Sequence, residues 1–160
     1  MPKFGDESQK KLDTLDTRLQ WVMKASIIGG PDFSIVEGKR SVETQREYYR
    51  QGLTRTMNSK HVYPQQTKSL AVDVVPFVDG KQLWVQKPQG LTGLMWSVVR
   101  RYTKRWAQMA FLAGWIMAKA DELGVPLRWG GDWDGDFDFS DNDFDDIWHF
   151  ELRNTSGSEG

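Results

Sequence analysis

The chain contains two histidines. His61 lies in Ser59-Lys60-His61, shortly before the apolar run Ala71-Val72-Asp73-Val74-Val75. His149 lies in Asp145-Asp146-Ile147-Trp148-His149-Phe150-Glu151. Two imidazoles and one carboxylate are a sufficient ligand set for a zinc ion with an open fourth position. Water held in that position is a hydrolytic nucleophile near neutral pH. Each residue also has an ordinary reading. A loop histidine such as His61 needs no metal, and neither does a hydrogen-bonded core histidine at position 149. Asp73 makes a stronger demand. A carboxylate flanked by Ala71, Val72, Val74 and Val75 is costly to bury unpaired, so it requires several hydrogen-bond donors or a cation, either a metal or an arginine such as Arg40. Asp146 stands three residues before His149. A carboxylate beside the metal, but not on it, can take a proton from the attacking water and pass it to the leaving amine. The alternative for Asp146 is a solvated place in an acidic loop, because eight aspartates fall between 132 and 146.

That acidic run carries a second candidate chemistry. Asp132-Trp133-Asp134-Gly135-Asp136-Phe137-Asp138 places alternate carboxylates around a glycine, as oxygen-ligand calcium loops do. It does not satisfy the EF-hand pattern, since no glycine holds the sixth position and no glutamate closes the loop. Asp132, Asp134, Asp136 and Asp138 are therefore candidate calcium ligands, against the alternative of a flexible, solvated loop. Bound calcium would order the stretch and set Asp146, which would make it a switch.

Composition narrows the classes. A chain of 160 residues suits one domain, taken here as 1–153, with a polar, frayed tail over 154–160. The net charge of −1 offers no global field for nucleic acid. The absence of cysteine excludes disulfides, cysteine-ligated zinc and cysteine nucleophiles. Met1 to Ser8 has no apolar core of a secretory signal. Ala107 to Ala118 is too short to span a bilayer and is interrupted by Gln108, so no stable membrane insertion is expected. The basic cluster Arg100-Arg101-Tyr102-Thr103-Lys104-Arg105-Trp106 reads as a solvated helix face, or as a contact for anionic envelope polymers or lipid headgroups. The eight tryptophans suit a core of large aromatics, or a sugar- or peptide-binding groove.

The elements that must position these residues follow from periodicity. Leu12, Leu15, Leu19, Val22 and Met23 predict one amphipathic helix over 8–25, ended by Gly29-Gly30-Pro31. A strand is expected at Phe33 to Glu37. A helix is expected from Val42 to Gln51, with Ser41 as N-cap and Gly52 as stop. Residues 53–69 read as a polar loop. Leu70 to Val78 is the strongest strand, turning at Asp79-Gly80 into Gln82 to Val85. A long helix is expected over 94–123, interrupted near Arg100 and Thr103 and stopped by Gly124. Leu127 to Trp129 and Ile147 to Leu152 are strands by composition. The order indicates an α+β fold with a small, mostly antiparallel sheet flanked by helices.

Several stretches taken together resemble a known family. They are Gly38-Lys39-Arg40-Ser41, Gln45, Tyr48-Tyr49, Gly52, Ser59-Lys60-His61, Ala71-Val72-Asp73-Val74, Trp129-Gly130-Gly131-Asp132-Trp133 and Asp146-Ile147-Trp148-His149-Phe150-Glu151-Leu152. In this order they resemble the M15 family of zinc peptidases, and within it the phage endolysins and autolysins that act as L-alanyl-D-glutamate endopeptidases. The resemblance implies the Hedgehog/D-Ala-D-Ala-peptidase fold, with His61, Asp73 and His149 on zinc and Asp146 as general base and acid. It implies that Arg40 faces the substrate carbonyl and stabilises the oxyanion; the alternative for Arg40 is an ion pair with Glu37. Ser59 is expected to orient its loop or touch substrate, and Gln45 to line the substrate groove. Glu151 is expected to anchor an imidazole or an arginine.

The chain departs from the family pattern in one place. Relatives hold the first histidine and the aspartate closer together with a glycine between them, whereas here Ser69 stands at the glycine position and extra polar residues fall within Val62 to Lys68. Residues 86–101 also look extended. The implied partner is peptidoglycan, and a monomer is expected. The implied setting is synthesis in a host cytoplasm without a signal peptide, then release to the wall through a holin-like pore. Two other functions remain open: a D-Ala-D-Ala carboxypeptidase or dipeptidase, and a non-catalytic Hedgehog-like module binding zinc and calcium.

Overall fold

The structure, a computed structural model, describes residues 3–62, 67–85, 95–139, 141 and 144–154, with the backbone alone for 95–100. Among these residues the chain forms helices α1 (Asp6–Leu12), α2 (Thr17–Ile27), α3 (Val42–Arg50) and α4 (Met95–Glu122). It also forms strands β1 (Phe33–Glu37), β2 (Ala71–Val78), β3 (Lys81–Gln82), β4 (Leu127–Trp129) and β5 (His149–Leu152). The fold is α+β. Every strand pairing is antiparallel, the sheet runs β1-β2-β5-β4, and β3 pairs with the far end of β2.

The first helix differs from its sequence expectation. Leu12, Leu15, Leu19, Val22 and Met23 are all fully buried, as their spacing requires, but the helix is broken between Leu12 and Thr17. The Ser69 amide donates to the Thr14 carbonyl and the Asp16 amide donates to the Ser69 carbonyl, both at 2.8 Å. A continuous helix would already have used both chain-side groups. α2 restarts with Asp16 as N-cap, its carboxylate accepting from the Arg18 amide. The expected interruption of α4 near Arg100 and Thr103 is absent; Met95–Glu122 is one helix. β5 begins at His149 rather than Ile147, and the strand after the hairpin is only Lys81–Gln82.

Other local signals hold. Ser41 caps α3 by accepting from the Thr44 amide. Asp79 and Gly80 both have positive φ, 50° and 75°, which suits the two-residue turn between β2 and β3.

Register explains the odd carboxylate in β2. Val72 pairs with Phe150, and Phe150 pairs with Trp129, a row that faces the core with α2 and α4 packed on it. One residue along, Glu37, Asp73 and His149 form a row across β1, β2 and β5. Side chains alternate between faces, so Asp73 points away from the core that its neighbours Val72 and Val74 build. The sheet separates an apolar layer from a polar one, and the polar face carries the site. Of the segments singled out as unusual, 63–66 and 86–94 lie outside the described residues, as does the tail from 155.

Candidate active site

His61, Asp73 and His149 meet at a single point. His61 Nε2 is 3.1 Å from Asp73 Oδ1 and 3.1 Å from His149 Nδ1, and His149 Nδ1 is 3.0 Å from Asp73 Oδ1. The twelve-residue separation of His61 and Asp73 does not keep them apart. The Arg40 amide donates to the His61 carbonyl and the Leu70 amide to the Lys60 carbonyl, which ties the loop to β2 on both sides of the histidine.

The far nitrogen of each imidazole is already in use. His61 Nδ1 is 2.6 Å from the Gly38 carbonyl oxygen, which can only accept. His149 Nε2 is 3.2 Å from the Glu151 carboxylate, another acceptor. Both outer nitrogens therefore carry the ring proton, and both inner nitrogens present lone pairs to each other and to a carboxylate oxygen. Three converging lone pairs repel unless a cation sits among them. For bonds of roughly 2.0–2.1 Å at the tetrahedral angle, zinc ligand atoms stand roughly 3.3 Å apart, close to the observed triangle. The three residues fit a divalent metal.

The electrostatics agree. Burial works against a charge on Asp73, yet the two imidazoles hold its carboxyl far below the usual carboxylate range. Burial likewise opposes charge on His149, but hydrogen bonds to Asp73 and Glu151 outweigh it and push the imidazole up to about 10. Burial also opposes the charge of Glu151, but His149 and Arg128 bring it down to about 2. Glu151 is clamped: Arg128 Nε donates to it at 3.0 Å and Lys60 Nζ lies 3.2 Å away. Lys60 also donates to the Leu152 carbonyl, so the residue before His61 is bound to the strand of His149.

Asp146 lines the same cleft. Its amide donates to the Gly130 carbonyl and its own carbonyl accepts from the His149 amide at 3.0 Å. Gly130 is required there, because a Cβ would sit 2.5 Å from the Asp146 carbonyl oxygen. Burial, then the charge of Asp73, raises the Asp146 carboxyl above its ordinary value, which suits a group that must both take and give a proton.

Arg40 forms the ion pair with Glu37 given above as its alternative reading. It lines the cleft with its guanidinium 3.9 Å from Asp73, and it is paired with Glu37 through Nε and Nη2. Nη1 donates to Gln45 at 2.6 Å. Gln45 needs correction as a groove residue. It is fully buried, and its amide holds Arg40 on one side and the Thr56 carbonyl, at 2.6 Å, on the other. It is a strut beneath the cleft wall. Ser59 lines the cleft and its hydroxyl accepts from the His61 amide at 3.3 Å.

The cleft has a volume of about 640 Å³. Its walls include Trp84, Trp133 and Trp148, which the sequence left undivided from the core tryptophans; Trp129 is buried. Of the acidic loop, Asp132, Asp134 and Asp136 bring carboxylate oxygens within 4.8 Å of one another, while Asp138 does not join them. Asp132 accepts from the Gly135 and Phe137 amides. Among the described residues no helix is long and apolar enough to cross a membrane. In the basic cluster, Arg105 donates to the Trp84 carbonyl and Trp106 packs against Trp129.

Comparison with known proteins agrees with this geometry. The chain is 30% identical over 143 residues to the L-alanyl-D-glutamate peptidase of Escherichia phage T5, covering 87% of each chain. The crystal structure of the Serratia marcescens L-Ala D-Glu endopeptidase ChiX superposes with a TM-score of 0.61 at 26% identity, over 94% of this chain and 89% of that one. The family model of phage L-alanyl-D-glutamate peptidases matches residues 1–153, and the chain belongs to that family.

Proposed function

We propose that the protein is a zinc-dependent endopeptidase that hydrolyses the L-Ala–D-Glu bond of peptidoglycan stem peptides. The observation that carries this reading is the convergence of three lone-pair atoms at 3.0–3.1 Å beside a cleft carboxyl, in a chain of this family. Zinc held by His61, Asp73 and His149 would supply Lewis acidity to the scissile carbonyl and lower the pKa of the attacking water. The chain does the rest. Gly38 and Glu151 fix the tautomers of the two imidazoles. Asp146 removes the proton from water and returns it to the glutamyl nitrogen as that nitrogen leaves. Arg40, immobilised by Glu37 and Gln45, keeps one N–H on each terminal nitrogen for the developing oxyanion. Ser59 fixes the His61 loop.

The partner in this reading is the wall polymer, met by a monomer. The setting is phage lysis, with synthesis in the host cytoplasm and access to the wall through a holin-type pore. The acidic loop supports a second, subordinate reading. Its clustered carboxylates bind calcium, which relieves the repulsion that contributes, after desolvation, to raising the Asp141 carboxyl.

Mass spectrometry of purified peptidoglycan digested by the protein tests the main reading. New L-Ala carboxyl and D-Glu amino ends, lost on chelation and restored by zinc, are expected. Release of D-Ala would move the protein to the carboxypeptidase branch. No cleavage by folded, zinc-loaded protein would make it a binding module.

A further inference from the structure

Four cationic side chains reach the cleft: Lys11, Arg40, Arg55 and Lys60. Arg40 is held by Glu37 and Gln45, and Lys60 by Glu151 and the Leu152 carbonyl. Arg55 is different. Its guanidinium lies over the Phe144 ring, 4.8 Å from the centroid, and among the described residues it has no carboxylate partner. Its backbone is not loose, because the buried Gln45 amide holds both neighbours, the Thr56 carbonyl at 2.6 Å and the Thr54 hydroxyl at 3.4 Å. The backbone that carries this ring is anchored too, since Trp133 Nε1 donates to the Phe144 carbonyl at 2.7 Å. A planar cation stacked on an aromatic face keeps its in-plane N–H groups available for a carboxylate.

Its place relative to the chemistry is also defined. Phe144 is two residues from Asp146, so their Cα atoms are at most about 7.6 Å apart. In the reading above, Asp146 protonates the leaving nitrogen, and the leaving residue therefore lies on the Asp146 side. The Lys11 carbonyl lies beside Gly38, whose own carbonyl holds the outer nitrogen of His61. A glutamyl residue has two carboxyls. Whichever one continues the stem peptide, the other remains as a free anion close to the scissile nitrogen.

We propose that Arg55, on its Phe144 platform, receives this free carboxylate and so selects a glutamyl residue after the cleaved bond. The inference rests on the endopeptidase reading. Arg55 is here a specificity residue, and Gln45 positions it together with Arg40 through one buried amide.

The test uses two stem-peptide fragments, amidated at the C-terminus. Both carry L-Ala followed by the D-glutamyl residue, with its side carboxyl either free or converted to carboxamide. The zinc-loaded protein is expected to prefer the carboxylate by roughly 10- to 100-fold in kcat/KM. In Arg55→Gln the ratio should fall to near one, and Arg55→Lys should keep an intermediate ratio, because the charge stays and the fork geometry is lost. Equal cleavage of both fragments by the unmodified protein would overturn the proposal. So would an Arg55→Gln variant that loses activity equally on both, since that pattern is structural damage. Cleavage of neither fragment would sink the endopeptidase reading itself, and the Arg55 assignment with it.

Discussion

Among the described residues, two regions gather three possible metal ligands within 4.8 Å, and they are built differently. In the first, His61, Asp73 and His149 are held from behind. Each outer imidazole nitrogen has an acceptor, and Asp73 and His149 are directly paired across β2 and β5. In the second, Asp134 and Asp136 are exposed on a loop; Asp132 accepts from two backbone amides and Asp136 from one, that of Asp138. Both have the right atoms. What separates them is that the first has already met the cost of ordering its ligands through strand pairing and burial, whereas the second would have to order its loop at the moment a cation binds. The first should therefore behave as a resident site and the second as a condition-dependent one.

The sharpest way to break the comparison is to disarm the first region without dismantling it. Asp146→Asn should lower kcat by about 10²–10⁴-fold, while zinc content and Tm stay close to those of the parent. A variant that still turns over would remove Asp146 from the mechanism. The acidic region is tested next. Calcium at a hundred times its dissociation constant should stabilise the fold by about 2.7 kcal/mol, read as a rise in Tm, and an Asp134→Asn/Asp136→Asn double variant should show none. A parent protein indifferent to calcium would leave the loop as a solvated acidic surface.

Smaller still is the effect of the groups behind the ligands. Glu151→Gln should weaken zinc about 10- to 100-fold in competition with a chelator, because His149 loses its charged acceptor. An unchanged affinity would mean that the preorganisation seen in the first region contributes little. The smallest effect lies outside both regions. Asp16→Ala removes the cap of α2 and should cost about 1 kcal/mol by denaturant titration, with no change in zinc affinity. Desolvation opposes it, but the hydrogen bond from Arg18 leads in lowering the Asp16 carboxyl, whose ordinary value is 3.8. Its stabilising contribution is therefore complete above that value and lost as pH falls through the lower, folded one. A parent and variant with the same acid limb would show that the pair contributes nothing.

Much of this architecture is legible without coordinates where the signal is local. Ser41, Gly52, Asp79-Gly80 and Gly124 mark boundaries because capping and positive φ are properties of a few consecutive residues. The break before Thr17 is not local. Leu12, Leu15 and Leu19 keep helical spacing across it, and only Ser69, more than fifty residues away, supplies the backbone partners that divide the helix. The metal-ligand candidates were visible from residue type and from the cost of a carboxylate in an apolar run. Their orientation was not. A carbonyl such as that of Gly38 has no sequence signature, and the clamp of Lys60 and Arg128 on Glu151 exists only because three separate strands and loops meet. Gln45 was misplaced for the same reason: a polar side chain in an amphipathic helix looks the same from sequence whether it faces a groove or is buried as a strut beneath it.

The pairing of β2 with β5 has a consequence for how the protein is made. Asp73 and His149 are 76 residues apart, and the acceptor that orients His149 comes two residues later still. A chain emerging from the ribosome can display His61 and Asp73 long before it has anything to complete them with. A nascent chain, or a fragment cut short before residue 149, carries the cleft wall without the completed centre. The timing of synthesis thus keeps unfinished chains from acquiring the completed His-Asp-His centre.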